Sequence, residues 1–298
     1  MFSNKEIKEI SFSEINYPRL LKETKSPPSK IFYIGNFLKN NEVPIALVGT
    51  RKATEEGKVL ARRVSFDLAK MGFVIVSGLA LGIDSEAHRG AIMAGGRTLG
   101  VLPCGFNFIY PPSNKKLFSD IIKNNGCLIS EYDYNEPPYP SRFLERNRII
   151  SGISSAVIII EAPARSGALA TARYASDYGR EVFVFPGSIE NPNYSGSHFL
   201  IRNGATLVTS VSDILNDLEG VLSNYGFKLF TKNNDNLEKR DEEDLIIIQS
   251  LKMEKEGLTV DKLSEITHLD IQKVNERLTV LLLENIIEEV NGFFKIKK

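Results

Sequence analysis

The sequence predicts an α/β protein: a Rossmann-like, doubly wound, mostly parallel sheet followed by a small C-terminal winged-helix domain. Three observations carry that prediction. Between residues 45 and 209, short runs that are apolar on both faces alternate with helical patterns. Such strands are buried on both sides, as in a parallel sheet covered by helices. A polar stretch containing Thr231-Lys232-Asn233-Asn234-Asp235-Asn236 follows and reads as a linker. Beyond it, three helical patterns precede two apolar segments joined by Asn291-Gly292, a strong hairpin signal.

In chain order, residues 1–44 are too few for a domain and are expected to form a helical or extended lead-in packed on the sheet. The core is expected over 45–219. Its strands fall at 45–49, 73–77, 98–102, 127–130, 156–161, 181–185 and 205–209. Its helices fall at 54–70, 84–94, 113–123, 142–152 and 168–178. Residues 220–242 are the expected linker. The winged helix is expected over 243–298, with helices near 243–254, 259–267 and 271–284 and hairpin strands at 286–290 and 293–296.

Composition excludes several classes of protein. Among 298 residues, 42% are hydrophobic and 25% charged, which supports a packed core and excludes a mostly disordered chain. Lys and Arg number 37, as do Asp and Glu, which excludes a uniformly basic coat. The charge is uneven, however. Residues 45–210 hold 18 basic and 14 acidic side chains, whereas residues 241–298 hold 8 and 13. A polyanion would therefore meet the core rather than the tail. Cys104 and Cys127 are too few for a disulfide framework or a cysteine-based zinc site and are expected to stay reduced. No signal-peptide pattern and no long apolar run occurs, so the expected location is the cytoplasm, with no membrane span.

Doubly wound sheets bind ligands beyond the carboxyl ends of their strands. Four loops at those ends share one chemistry. Val48-Gly49-Thr50-Arg51-Lys52-Ala53-Thr54 offers a glycine for close approach, a hydroxyl, two cations and a helix cap. Ser77-Gly78-Leu79-Ala80-Leu81-Gly82-Ile83-Asp84 is a small-residue loop entering a helix. Glu161-Ala162-Pro163-Ala164-Arg165-Ser166-Gly167-Ala168 again combines cation, hydroxyl and glycine, and Pro186-Gly187-Ser188 is the fourth. Any one alone reads as a helix cap with tight packing; four on one edge predict a groove for a nucleotide or a nucleic-acid backbone. The dinucleotide Gly-x-Gly-x-x-Gly and the P-loop Gly-Lys-Ser/Thr are both absent, which disfavours a dehydrogenase or P-loop ATPase.

The segment Arg142-Phe143-Leu144-Glu145-Arg146-Asn147-Arg148 sets three cations on a helix. Arg142 and Arg146 are four apart and share a face. They read either as phosphate clamps or as a solvated surface with a salt bridge through Glu145. Phe106, Phe108, Tyr110, Tyr132, Tyr134, Tyr139 and Phe143 lie near them in sequence. Cations on phosphates with aromatic faces on bases is how single strands are held, and one or two of these rings are expected to stack. Catalytic machinery is not evident. Asp84 and His88 lie at i, i+4 but lack a third metal ligand beyond a guess at Glu131. They are expected to orient the helix and hydrogen-bond inside the domain. Ser77-Gly78 is not a hydrolase nucleophile elbow.

Taken in order, seven motifs resemble the DNA-processing protein DprA (Smf) family. They are Val48-Gly49-Thr50-Arg51, Ser77-Gly78-Leu79-Ala80-x-Gly82-Ile83-Asp84-x-x-Ala87-His88, Tyr110-Pro111, Ser130-Glu131-Tyr132, Arg146-Asn147-Arg148-Ile149-Ile150, Ser166-Gly167-Ala168-x-x-Thr171-Ala172 and Pro186-Gly187-Ser188. The resemblance covers about residues 17–210. It implies single-stranded DNA binding by a homodimer that protects incoming DNA and loads the RecA recombinase during natural transformation. It implies no enzymatic turnover, no cofactor and no metal. Carried over by position, Gly49, Thr50 and Arg51 would hold backbone phosphates, with Lys52 adding charge. Ser77, Gly78, Arg146, Asn147, Arg148, Ser166, Gly167 and Thr171 would lie in or beside the groove. Two departures lower the positive charge: Pro112-Ser113 follow the Tyr-Pro pair where members often carry a cation, and Glu145 precedes Arg146. The short N-terminal stretch leaves little room for the helical N-terminal domain of many members.

Two other readings compete. A nucleotide phosphoribohydrolase shares glycine-rich loops of this sort, but its Pro-Gly-Gly-x-Gly-Thr signature is missing, with Ala162-Pro163-Ala164-Arg165-Ser166-Gly167 in its place. A nucleotide-sensing regulatory module would keep the groove for a small ligand and use the winged helix on a partner. The third helix of that domain carries Lys273 and Arg277, yet the net charge of −5 over residues 241–298 favours protein contact over duplex binding, with Lys295, Lys297 and Lys298 as the cations that a weak DNA contact would use.

Overall fold

The computed structural model describes residues 6–224, 242–254, 257–283, 286–290 and 292–297. The chain divides into two compact units, residues 1–229 and 230–298.

The first unit is a nine-stranded sheet with helices on both faces. Its strands are β1 (Lys8–Ser11), β2 (Lys30–Gly35), β3 (Pro44–Gly49), β4 (Val74–Ser77), β5 (Thr98–Leu102), β6 (Cys127–Ser130), β7 (Ala156–Ile160), β8 (Glu181–Val184) and β9 (Thr206–Leu207). The order is β1-β2-β6-β5-β4-β3-β7-β8-β9. All neighbours from β6 to β9 pair in parallel, while β1–β2 and β2–β6 are antiparallel. This is the doubly wound, mostly parallel sheet expected from the sequence. The winding reverses between β3 and β7, which pair in register from Ile45 opposite Ala156 to Gly49 opposite Ile160. That reversal leaves a crevice at the carboxyl ends of the two strands.

Side-chain alternation builds two cores from the same strands. Ala46, Val48, Val157 and Ile159 face the core under α5 (Pro140–Ile153) and α6 (Gly167–Asp177). Ile45, Leu47, Ile158 and Ile160 face the core under α2 (Glu55–Lys70), α3 (Ile83–Met93) and α8 (Val211–Asn224). Ile158, Ile159 and Ile160 are wholly buried, each contributing about 1.5–3 kcal/mol of transfer free energy. A run apolar on both faces therefore has no solvent-facing option and becomes a central strand. The helix α4 (Lys115–Lys123) covers the β5–β6 end through Leu117, Phe118 and Ile121.

The first 44 residues do more than lead in. β1 and β2 extend the sheet, and the short helix α1 (Arg19–Lys22) seats Leu21 in the core. The helix α7 (Ser195–Arg202) and the helix α8 are also additions to the sequence reading. α8 runs to Asn224, into the stretch expected as linker. Residues 225–241, with the polar 231–236 tract, lie outside the described residues. Cys104 and Cys127 are buried free thiols. Among the described residues no helix is long and apolar enough to cross a membrane.

The second unit contains α9 (Glu242–Met253), α10 (Val260–Thr267) and α11 (Ile271–Leu283), followed by β10 (Ile287–Val290) and β11 (Phe293–Ile296). The two strands pair antiparallel, Val290 opposite Phe293, and Gly292 takes φ +82° in the turn. Asn291 and Lys298 lie outside the described residues. Ile247, Leu251, Leu263, Leu278, Leu281 and Ile287 form its core. On its surface Glu243 pairs with Lys273 at 2.5 Å and with Arg277 at 3.0 Å, so both α11 cations are engaged within the unit.

Candidate nucleic-acid interface

A groove of about 520 Å³ opens at the switch point between β3 and β7. Its walls are Val48–Lys52 at the end of β3, Pro163, Arg165, Ser166, Gly167, Ala168 and Thr171 after β7, and Pro140, Phe143, Leu144, Arg146, Asn147 and Ile150 on α5. Ala80, Asp84 and Tyr110 close one end. Of the residues singled out from the sequence, Gly49, Thr50, Arg51, Lys52, Arg146, Asn147, Ser166, Gly167 and Thr171 come together here. Ser77, Gly78 and Arg148 do not line it.

The lining residues sort into two layers. The inner layer is consumed by the protein itself. Arg146 is 4% exposed. Its guanidinium donates to the carbonyl of Gly78 at 2.6 Å and to that of Val101, and its Nε donates to Asn147 Oδ1 at 3.1 Å. Burial lowers its pKa to about 10, opposed by the nearby Asp84. Asp84 is 6% exposed and accepts from the Gly78 amide at 3.2 Å. Burial raises its pKa, and the Arg146 charge opposes that rise. A buried cation is tolerated because a buried anion and carbonyls satisfy it. Arg146 is thus a tie across the ends of β4 and β5 rather than a surface clamp. Gly78 is glycine for the same reason: a Cβ there would lie 2.5 Å from Arg146 Nη1.

The other inner residues follow that pattern. Asn147 Nδ2 donates to the Gly167 carbonyl at 3.1 Å. Thr171 is 1% exposed. Thr50 Oγ1 accepts from the Lys52 amide at 3.2 Å. Gly49 lines the groove and has no room for a side chain, since a Cβ there would lie 2.2 Å from the Ile160 carbonyl and 2.6 Å from Ile83 Cγ1. Ser77 is wholly buried and its hydroxyl donates to the Leu47 carbonyl at 2.7 Å, bolting β4 to β3.

Four further expectations are corrected. Arg148 turns to the opposite side of α5 and pairs with Glu131, which also removes Glu131 as a metal ligand for the Asp84–His88 pair. Arg142 pairs with Glu136, donates to the Pro137 carbonyl at 2.9 Å, and stacks over Tyr132 and Tyr139. Glu145 accepts the Tyr132 hydroxyl at 3.1 Å rather than bridging arginines. The α2 N-terminus, expected to point its amides at a phosphate, is already filled by the Glu161 carboxylate, which accepts from the Thr54 amide at 3.0 Å.

The outer layer is open. Arg51, Lys52 and Arg165 are exposed, and among the described residues none has a carboxylate within ion-pair distance. The Arg51 guanidinium sits 5.0 Å from the Phe143 ring centre, and Tyr110 meets Phe143 edge-on at 5.0 Å. On the far wall Ser166 caps α6 by accepting from the Ala168 amide at 3.2 Å, and Gly167 is exposed. Such a helix start favours an anion. Arg165 belongs with Arg51 and Lys52, although the sequence marked it only as one cation in a loop. Among the described residues no cluster of three His, Cys, Asp or Glu is poised for a metal. His88 is wholly buried, its Nδ1 2.6 Å from Thr98 Oγ1.

These features define a Rossmann-like α/β protein whose switch-point groove has an internally neutralised floor and a cationic, aromatic rim. A family model described as DNA recombination-mediator protein A matches residues 8–219, and the chain belongs to that family. It is 42% identical over 211 residues to the DNA processing protein DprA of Streptococcus pneumoniae, covering 70% of this chain and 74% of that one. It is 42% identical over 210 residues to protein Smf of Synechocystis sp., covering 69% and 52%. The chain spans about half the length of the Smf proteins it matches, 52% and 54% for those of Synechocystis and Escherichia coli. The crystal structure of S. pneumoniae DprA aligns with a TM-score of 0.67 at 39% identity, covering 71% of this chain and 75% of that one. A structure of DNA processing protein A from Helicobacter pylori, concerned with that protein's single-stranded DNA binding mode, aligns with a TM-score of 0.64 at 31% identity, covering 72% and 96%.

Proposed function

We propose that this protein binds single-stranded DNA along the switch-point groove, protects incoming DNA and loads RecA recombinase onto it during natural transformation. It acts as a homodimer in the cytoplasm and without catalytic turnover. The observation that carries the reading is the rim: Arg51, Lys52 and Arg165 are exposed and without carboxylate partners among the described residues, beside the Phe143 and Tyr110 rings. Cations on phosphates supply affinity without sequence preference, and ring faces are open to bases only when the strand is single. The single-stranded DNA binding of the H. pylori relative supports the same reading. Residues 45–219 with the preceding strands would form the DNA-binding core. The second unit would be a winged-helix module that contacts a protein, because Glu243 engages Lys273 and Arg277 on the helix that would otherwise enter a major groove.

The test is fluorescence anisotropy of labelled single- and double-stranded oligonucleotides at two salt concentrations. Tight, salt-dependent binding that prefers single strands is expected. Binding of neither by folded protein at low salt would overturn the reading. Sedimentation of the protein tests the dimer. RecA filament assembly on coated strands, with and without the protein, tests loading.

A further inference from the structure

We infer that Glu161 and Asn193 are positioning residues that set the shape of the loop carrying Arg51 and Lys52, and so set the protein's affinity for the phosphate backbone. This inference rests on the single-strand reading above.

Glu161 follows β7 and is wholly buried. Its φ of +54° places a non-glycine residue in the left-handed region, a strained conformation that surrounding contacts must offset. The turn sends its side chain under the start of α2. There Oε2 accepts from the Thr54 amide and hydroxyl, both at 3.0 Å, and Oε1 accepts from the Thr54 amide at 3.1 Å and from Asn193 Nδ2. Its backbone carbonyl accepts from the Thr50 amide at 2.8 Å. Asn193 Nδ2 also donates to the Lys52 carbonyl at 3.0 Å. The loop is therefore held at Thr50, Lys52 and Thr54 by two residues more than a hundred positions away, while the Arg51 and Lys52 side chains stay exposed. Space for the carboxylate is reserved by Gly57, where a Cβ would lie 1.9 Å from Glu161 Oε2.

The brace requires a carboxylate and not an amide. Both oxygens accept, and every group facing them donates. A glutamine would set its NH₂ against the Thr54 amide or against Asn193 Nδ2. Asn193 is fixed in turn, because its Nδ2 also donates to the Lys52 carbonyl at 3.0 Å, so that a flipped amide would set its oxygen against that carbonyl, and its backbone amide donates to Asn191 Oδ1 at 3.0 Å. The charge also complements the positive end of α2.

Simple electrostatics makes the opposite prediction, which gives the test its power. Removing a negative charge beside the groove should tighten binding of a polyanion. Positioning predicts that Glu161→Gln loosens it. In the full-length protein, Glu161→Gln and Asn193→Ala are each expected to weaken single-strand binding about fivefold and to flatten its salt dependence. In an Arg51→Ala/Lys52→Ala background neither should weaken binding further, because the groups being positioned are gone. Asn193→Ala changes no charge and covers the case in which Glu161→Gln fails to fold. Binding as tight as, or tighter than, the parent in a folded variant, or additive losses in the Arg51→Ala/Lys52→Ala background, would overturn the inference. If Arg51→Ala weakens binding while the brace variants do not, the brace fails and the groove assignment stands. If the unmodified protein binds no single strand, the reading beneath both fails.

Discussion

The guanidinium of Arg51, at the end of β3, lies 5.0 Å from the centre of the Phe143 ring on α5. The contact sets an exposed cation against an aromatic ring at one edge of the groove. A cation over an aromatic ring gains about 0.5–1 kcal/mol at an exposed site. It also limits where an otherwise free arginine can reach.

Loss of that charge should be felt equally on all sequences. Arg51→Ala is expected to weaken single-strand binding and reduce the slope of log K against log salt by about 1. Arg51→Lys should recover most of the slope but not all the affinity, because an ammonium fits the ring less well than a planar guanidinium. Phe143→Leu should weaken binding with the slope unchanged. Anisotropy titrations across salt separate the three variants; equal slopes for Arg51→Ala and the parent would remove Arg51 from phosphate contact.

Arg146 is expected to behave oppositely. Arg146→Met strands the buried Asp84 charge and two carbonyls, and should cost on the order of 3–5 kcal/mol of stability. Gly78→Ala should also destabilise, because its methyl would meet the same guanidinium. Arg51→Ala should leave the urea midpoint almost unmoved. Chemical denaturation of the three variants checks this, and a fully stable Arg146→Met would contradict the tie.

His88 should make the fold acid-sensitive. Thr98 Oγ1 donates to the Ile75 carbonyl at 2.7 Å and so accepts from His88 Nδ1, leaving Nε2 buried without a partner among the described residues. Burial lowers the pKa from 6.5 to about 3. The unfolded chain therefore binds the proton first. Stability from this group is whole above about pH 6.5 and falls by about 1.4 kcal/mol per pH unit below it, down to about pH 3. Asp84, with its raised pKa, works in the opposite direction, so the difference between parent and His88→Asn isolates the histidine. Unfolding curves from pH 7 to pH 4.5 should converge as the pH falls; parallel curves would contradict the shift.

The second unit should be a poor duplex binder by construction. Lys273 and then Arg277 hold the Glu243 carboxylate below its ordinary pKa, so it stays charged and keeps both cations occupied at neutral pH. Glu243→Gln is expected to raise the affinity of the full-length protein for duplex DNA at low salt while leaving single-strand binding unchanged. A gel-shift comparison reads both, and an unchanged duplex affinity would mean that Lys273, parted from Glu243 while Arg277 stays beside Asp244 at 3.9 Å, faces no DNA.

Much of this molecule is written in local patterns. Runs such as Ala156–Ile160 are apolar on both faces and too short for helices, so they become central strands, and the expected core strands lie within two residues of those observed at nearly every end. The loop chemistry after β3 and β7 is equally local, and it located the groove. β1 and β2 escaped because short, mixed segments at a sheet edge carry no two-sided apolar signal. α7 and α8 escaped because loops and a polar tract crowd them.

The sequence by itself determined the alternation of strands and helices, the edge of the sheet that carries the groove, and the excess of positive charge in the core. Tertiary structure decided which charges face water. Arg51, Arg146 and Arg148 are the same residue type in motifs of similar appearance. One is exposed on Phe143, one is buried on the Gly78 and Val101 carbonyls, and one is paired with Glu131. The cost of burying a guanidinium is met only where carbonyls and carboxylates converge from distant segments, and that convergence exists only after the sheet has wound in both directions. The same convergence places Glu161 at the start of α2, where the local pattern promised an anion and the fold supplied its own.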